Sequence, residues 1–174
     1  MSTTATQTSI GSMIAAGLRM AIGYGGKLCE DIPTDRFGRM PHPSMNSALF
    51  NMAHLAIYTE RCLQMIGRQD LARPVDPVWE QCFRNGAPCV EQDGRYPSKD
   101  AILKHFTERY GVVAGALEAA DDTVFTQPNP MGGRMSEMLP TIGAAVMFLC
   151  GSHLQMHLGQ VSAWRRAMGM GGVM

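Results

Sequence analysis

Apolar residues in this chain recur at intervals of three and four along four long stretches, and nowhere do they alternate convincingly in twos. Only a helix gathers residues at that spacing onto one face, so the pattern confines the fold to helices packed on helices. The first stretch runs from about Ser9 to Cys29, with Ile10, Met13, Ile14, Leu18 and Ile22 on one side. Gly23, Gly25 and Gly26 weaken its end, since each glycine costs about 1 kcal/mol in a helix interior. The second follows MPHPS, with Ser44 as N-cap and a terminating glycine at Gly67. The third opens in YPSKDAILKHF with Ser98 as its cap, and Ile102, Phe106, Tyr110, Val113 and Leu117 repeat along it. The fourth starts at Pro140, a residue suited to a first helical turn, and runs to about Met168 before Gly169.

Two long connections complete the pattern. RQDLARPVDPVWEQCFRNGAPCVEQDGRYPS, between helices two and three, is rich in proline and turn residues. A connection of that length is uncommon in a compact domain and is often functional. ADDTVFTQPNPMGGRMSE precedes helix four. The expected architecture is therefore all-α: a four-helix bundle with long loops between helices two and three and between three and four. With 174 residues, 45% of them hydrophobic and 17% charged, one domain over 1–174 can bury a substantial core, with residues 1–8 as a disordered tail.

Charge and cysteine usage exclude several classes. Fifteen acidic residues balance fifteen basic ones without a block of either sign, whereas a nucleic-acid binder carries a basic stripe. Cys29, Cys62, Cys82, Cys89 and Cys150 are odd in number and contain no Cys-x-x-Cys pair, which argues against a disulfide framework and for a reducing compartment. The N-terminal stretch lacks a basic n-region, and Arg19 interrupts its apolar run, so it makes a poor secretory signal. The longest apolar stretch, Leu139 to Cys150, is well short of the roughly 20 residues that span a bilayer. A cytoplasmic protein without a membrane partner is the expectation. No Glu-x-x-His pair occurs, which removes the di-iron carboxylate bundles, and GYGGK has the wrong spacing for a phosphate loop.

The polar residues inside the apolar faces carry the chemistry. On helix four, Ile142, Val146, Leu149, Cys150, His153, His157, Gln160 and Trp164 share one face, so His153 and His157 lie one turn apart in apolar surroundings. Two buried neutral imidazoles cost free energy unless their nitrogens find partners, and one divalent cation partners both. His54, in SALFNMAHLAIYTE on helix two, is set among apolar residues too and supplies a third ligand if helices two and four pack together. Three neutral imidazoles with open positions suit zinc, nickel or ferrous iron. The alternative is a core histidine bonded to a carbonyl. Cys150, three residues before His153, would close the site as a fourth ligand or leave it open as an ordinary buried thiol. His42, between two prolines, and His105 read as structural or exposed, with His42 a distant candidate for a substrate contact. Arg165 and Arg166 complement the dipole of the last turn or bind an anion. Gln160 is either exposed or bonded to a ligand, and Met156 and Met168 are core filler or pocket neighbours.

The pattern FLCGSHLQMHLGQVSAWRRAMG resembles the terminal-helix signature of the DinB-like (YfiT-like) superfamily of metal-binding four-helix proteins: a histidine, three residues, a second histidine, Gly-Gln and paired basic residues. ALFNMAHLAIYTERCLQMIG resembles that family's second helix with its single metal histidine, and FRNGAPCVEQDGRYPSKDAILKHF its loop into helix three. The resemblance spans the chain from about residue 10. It implies that His54, His153 and His157 are the metal ligands and that the cofactor is a divalent metal, zinc or nickel before iron. Some members use low-molecular-weight thiols (bacillithiol, mycothiol), and one branch isomerises maleylpyruvate. The resemblance thus implies a metal-dependent enzyme, a thiol S-transferase, isomerase or hydrolase, whose 68–97 loop shapes the pocket. It also implies a small-molecule substrate and a homodimer. No acid or base is legible beyond Tyr58, one turn after His54. The competing reading is a non-catalytic metal or small-molecule binder serving as a stress-response scaffold.

Overall fold

In a computed structural model describing residues 8–173, the chain is helical, and the described residues contain no strand beyond one isolated bridge, Pro128 to Thr141. All but Thr8 of the tail expected at residues 1–8 lies outside the described residues. The helices are α1 (Ile10–Glu30), α2 (Thr34–Phe37), α3 (Ala48–Ala56), α4 (Thr59–Met65), α5 (Pro77–Phe83), α6 (Lys99–Glu118), α7 (Asp122–Thr126), α8 (Gly133–Met138), α9 (Ile142–Met147) and α10 (His153–Ala167). A π-helical turn, Phe148–Ser152, joins the last two. The all-α expectation holds, and the described residues divide into more helical segments than the four main helices expected. The second and fourth predicted helices are each broken, and both connections carry short helices of their own.

The principal elements close a ring: α1 packs on α6, α6 on α3, α3 on α10, and α10 back on α1. Trp164, Tyr110, Phe37, Phe83 and Phe106 are among the fully buried side chains of the core. The third predicted helix is realised as α6. Ser98 caps it by accepting from the Ala101 N–H at 3.2 Å, and Ile102, Phe106, Tyr110, Val113 and Leu117 are all buried.

Three local expectations fail for physical reasons. On α1 the buried stripe is Gly11, Ala15, Leu18, Ala21, Gly25, Leu28 and Cys29, while Met13 is 58% exposed. The face is chosen by how closely α6 approaches: a Cβ on Gly11 would lie 1.9 Å from the Leu117 carbonyl oxygen. Size overrides hydrophobicity where backbones come this near. The cap of α3 is Ser47, which accepts from the Phe50 N–H at 3.1 Å, and not Ser44. Pro140 likewise precedes the true cap, Thr141, which accepts from the Ala144 N–H.

The break between α3 and α4 falls at Ile57 and Tyr58. The Tyr110 hydroxyl donates to the Leu55 carbonyl at 3.0 Å, and the Thr59 hydroxyl donates to the Ala56 carbonyl at 2.9 Å. Both divert carbonyls from the regular ladder, and side-chain competition of this kind bends helices. A buried ion pair braces α4 against α6: Arg109 donates to both Glu60 carboxylate oxygens at 2.6 and 2.8 Å, and to the Leu71 carbonyl at 2.8 Å. Glu60 also accepts from the Arg73 N–H at 2.6 Å. Burial raises the Glu60 pKa, but these partners outweigh it and hold the carboxyl below its usual range. The first part of the long connection is pinned to the core in this way. No helix among the described residues is long and apolar enough to cross a membrane.

Candidate metal centre

His54 reaches the centre of the ring from α3, and His153 and His157 reach it from the first two turns of α10. All three are buried, and one ligand nitrogen from each lies within 4.8 Å of the others. The ring centroids are 4.5 Å apart for His54 and His157, 4.7 Å for His153 and His157, and 5.2 Å for His54 and His153. Among the described residues this is the group of three or more His, Cys, Asp and Glu side chains arranged to hold an ion.

Two of the imidazoles are fixed by hydrogen bonds through their other nitrogen. The His54 Nδ1–H donates to the Phe83 carbonyl at 2.6 Å, and the His157 Nδ1–H donates to Asn51 Oδ1 at 2.9 Å. Asn51 is itself buried and held, because its Nδ2 donates to the Ser47 carbonyl at 3.0 Å. In both rings the proton is therefore on Nδ1, and Nε2 keeps its lone pair for a ligand. The two readings left open for His54 are compatible: one nitrogen satisfies a carbonyl, and the other faces the cluster. His54 Nε2 and His153 Nε2 stand 3.1 Å apart. Two nitrogens at 2.0–2.1 Å from one ion, about 90–110° apart, would be separated by about 2.9–3.4 Å. His153 Nδ1 is buried without a partner, so nothing in the protein satisfies that ring from behind.

Burial keeps these rings neutral. It lowers the His54 pKa, against the pull of the Phe83 carbonyl and with help from the Arg61 charge. Burial, with His54 beside it, pushes His153 down to about 4. Burial, His54 and His153 together push His157 down to about 3, against a contribution from Gln160. Near neutral pH all three are free bases, the state in which imidazole binds a cation.

Cys150 is not brought to the cluster. Its Sγ lies 3.7 Å from Cys62 Sγ on α4. A regular helix would put residues 150 and 153 on one face, but the π turn over Phe148–Ser152 is wider and rotates them apart. The three-histidine cluster therefore has no thiolate ligand.

The cluster opens into a cavity of about 510 Å³, within the size range of small-molecule sites. The 68–97 connection contributes Arg84, Asn85, Gly86 and Ala87 to its wall, and Met156 also lines it. Tyr58 lines it too, its ring 5.0 Å from that of His54 and 5.1 Å from that of His153. Burial raises the Tyr58 pKa, so the phenol keeps its proton.

The remaining candidates lie elsewhere. His42 sits in an exposed turn, accepting from the Ser44 hydroxyl and N–H, and is not among the residues lining the cavity. His105 packs on Trp79, their rings 5.1 Å apart. Arg165 is buried and tied to the Leu28 carbonyl and Asp31, which makes it a strut at the end of α1. Arg166 bonds back to Ser162, Gln160 is exposed, and Met168 packs against the core. Sequence reasoning missed Asn51. Its signal was a lone amide one turn before His54 on an apolar helix, a group that must find partners once buried.

A model of the DinB superfamily matches residues 26–161, a span that contains all three histidines and more than half of the chain. No curated protein matches the chain.

Proposed function

The chain belongs to the DinB superfamily, and on that premise we propose that it is a metal-dependent enzyme holding one divalent cation through Nε2 of His54, His153 and His157. The observation that carries this is the convergence of three buried, neutral imidazoles along one cavity, two of them with Nδ1 bonded elsewhere and the Nε2 lone pair free. Three imidazoles leave coordination positions open, which is the pattern of catalytic rather than structural sites. Zinc or nickel, with iron third, fits three nitrogen donors. Such an ion supplies Lewis acidity, acidifying a water or thiol and polarising an electrophile.

The protein's own residues do the rest. Phe83 and Asn51 orient two of the rings, and the ring of Tyr58 packs beside the site. The resemblance to thiol-using members supports a low-molecular-weight thiol as cosubstrate, in an S-transferase- or isomerase-like reaction. On this reading the partner is a small molecule and not a nucleic acid, and the working form is a cytoplasmic homodimer. A binder of metal alone would need the cluster but not the cavity.

Metal content measured by plasma mass spectrometry on untagged protein tests the assignment. The expected result is about one equivalent of zinc, nickel or iron per chain, lost in both His54→Ala and His153→Ala. A wild type that stays empty after reconstitution would overturn it.

A further inference from the structure

The wall of the cavity is unequally charged although the chain as a whole is balanced. Its charged lining consists of two arginines, Arg61 and Arg84, and includes no Asp or Glu. Arg61 donates to Glu80 at 3.0 Å from a half-exposed position, and its guanidinium lies 5.1 Å from the centre of the Tyr58 ring. That ring in turn lies 5.1 Å from His153, so a cation stands one aromatic ring away from the candidate metal ligands. Arg84 is exposed at the end of α5 and, among the described residues, makes no ion pair and no side-chain hydrogen bond. The turn after it carries Gly86 at a φ of 80°. Much of the remaining lining is apolar: Met131, Met135, Phe148, Leu149 and Met156.

A free guanidinium at a cavity rim, with a second one on the same cavity that is paired to Glu80, forms a site for an oxyanion, which arginine grips through paired N–H donors. The methionine wall suits an apolar body of variable shape, because unbranched thioether side chains adapt to what they cover. We propose that this cavity receives an organic oxyanion with an apolar body, its charged end held by Arg84 with Arg61 and its body laid along the methionine wall towards the three histidines. The assignment rests on reading the cavity as the substrate chamber, and it makes Arg84 a specificity-determining residue.

Calorimetric titration of the full-length, untagged chain with octanoate, octyl phosphate and neutral 1-octanol tests this. Both anions should bind more tightly than the alcohol, and whichever binds tighter assigns the oxyanion as carboxylate or phosphate. Arg84→Gln should weaken both anions about tenfold or more and leave 1-octanol unchanged. Arg84→Lys should recover part of the loss, because it keeps the charge without the fork. Arg84 is exposed, so neither variant threatens the fold. The same titrations on His54→Ala, with metal content measured on every sample, separate this inference from the metal assignment. Loss of metal with the Arg84-dependent preference retained would leave the anion site standing by itself. Equal binding of all three probes, or an Arg84→Gln chain that binds the anions as the wild type does, would overturn it.

Discussion

At the scale of single residues, the candidate centre depends on which nitrogen of each ring carries its proton. Asn51 decides that for His157, because its Oδ1 is the acceptor for the Nδ1–H and its own amide is locked to the Ser47 carbonyl. Asn51→Ala leaves that N–H buried and unpaired. We expect metal affinity, measured by competition with a chelator, to fall about 10–100-fold while the helical circular dichroism stays unchanged. Asn51→Asp, which keeps an acceptor, should stay closer to wild type. The same residues set a pH dependence. Unfolded histidine titrates near 6.5, whereas burial holds His153 at about 4 and His157 at about 3. Below pH ~6.5 the unfolded metal-free chain takes up protons that the folded chain refuses. The stability conferred by the neutral rings is therefore fully present above that pH, is lost progressively below it, and is gone once the pH has fallen through about 4 for His153 and about 3 for His157. Urea midpoints of metal-free protein between pH 7 and pH 4 should fall steadily, and a flat profile would contradict the burial argument.

At the scale of elements, two departures from regular helix shape the site. The turn at Ile57 and Tyr58 and the π turn at Phe148–Ser152 lie on the two elements that supply the histidines. The π turn matters most, since it turns Cys150 away to Cys62 and leaves the candidate cluster with histidines alone. The fit of α1 to α6 rests on small residues. Gly11→Ala would drive a methyl into the Leu117 carbonyl, which belongs to backbone and cannot swing aside. It should destabilise the chain by at least about 1–3 kcal/mol in urea unfolding. The Arg109–Glu60 pair makes a stronger demand. Both partners are almost fully buried, so Arg109→Ala leaves an uncompensated carboxylate and should cost about 3–5 kcal/mol.

At the scale of the whole molecule, the candidate ligands come from elements far apart in sequence, α3 and α10, so an ion held between them would favour the folded chain over the unfolded one. Zinc added at about 100 times its Kd should stabilise the wild type by about 2.7 kcal/mol, read as a higher Tm. His153→Ala should show no such shift. The ring of α1, α6, α3 and α10 is what brings the histidines together.

The chain's periodicity by itself determined that the fold is helical and where α6 lies, because local spacing dictates which residues share a helical face. The spacing of His153 and His157 and the apolar surroundings of His54 made the three-histidine cluster legible, since buried imidazoles are expensive without partners. The face of α1, the true caps at Ser47 and Thr141, the π turn, the fate of Cys150 and the support from Asn51 were decided only by tertiary structure. Each depends on a partner distant in sequence or on a shift in hydrogen-bond register. The Leu117 carbonyl excludes a Cβ at Gly11, the Tyr110 hydroxyl competes for Leu55, and Asn51 meets His157 across 106 residues of chain. Helical spacing reports local geometry, and it carries no record of which distant group arrives to compete for a carbonyl or complete a hydrogen bond.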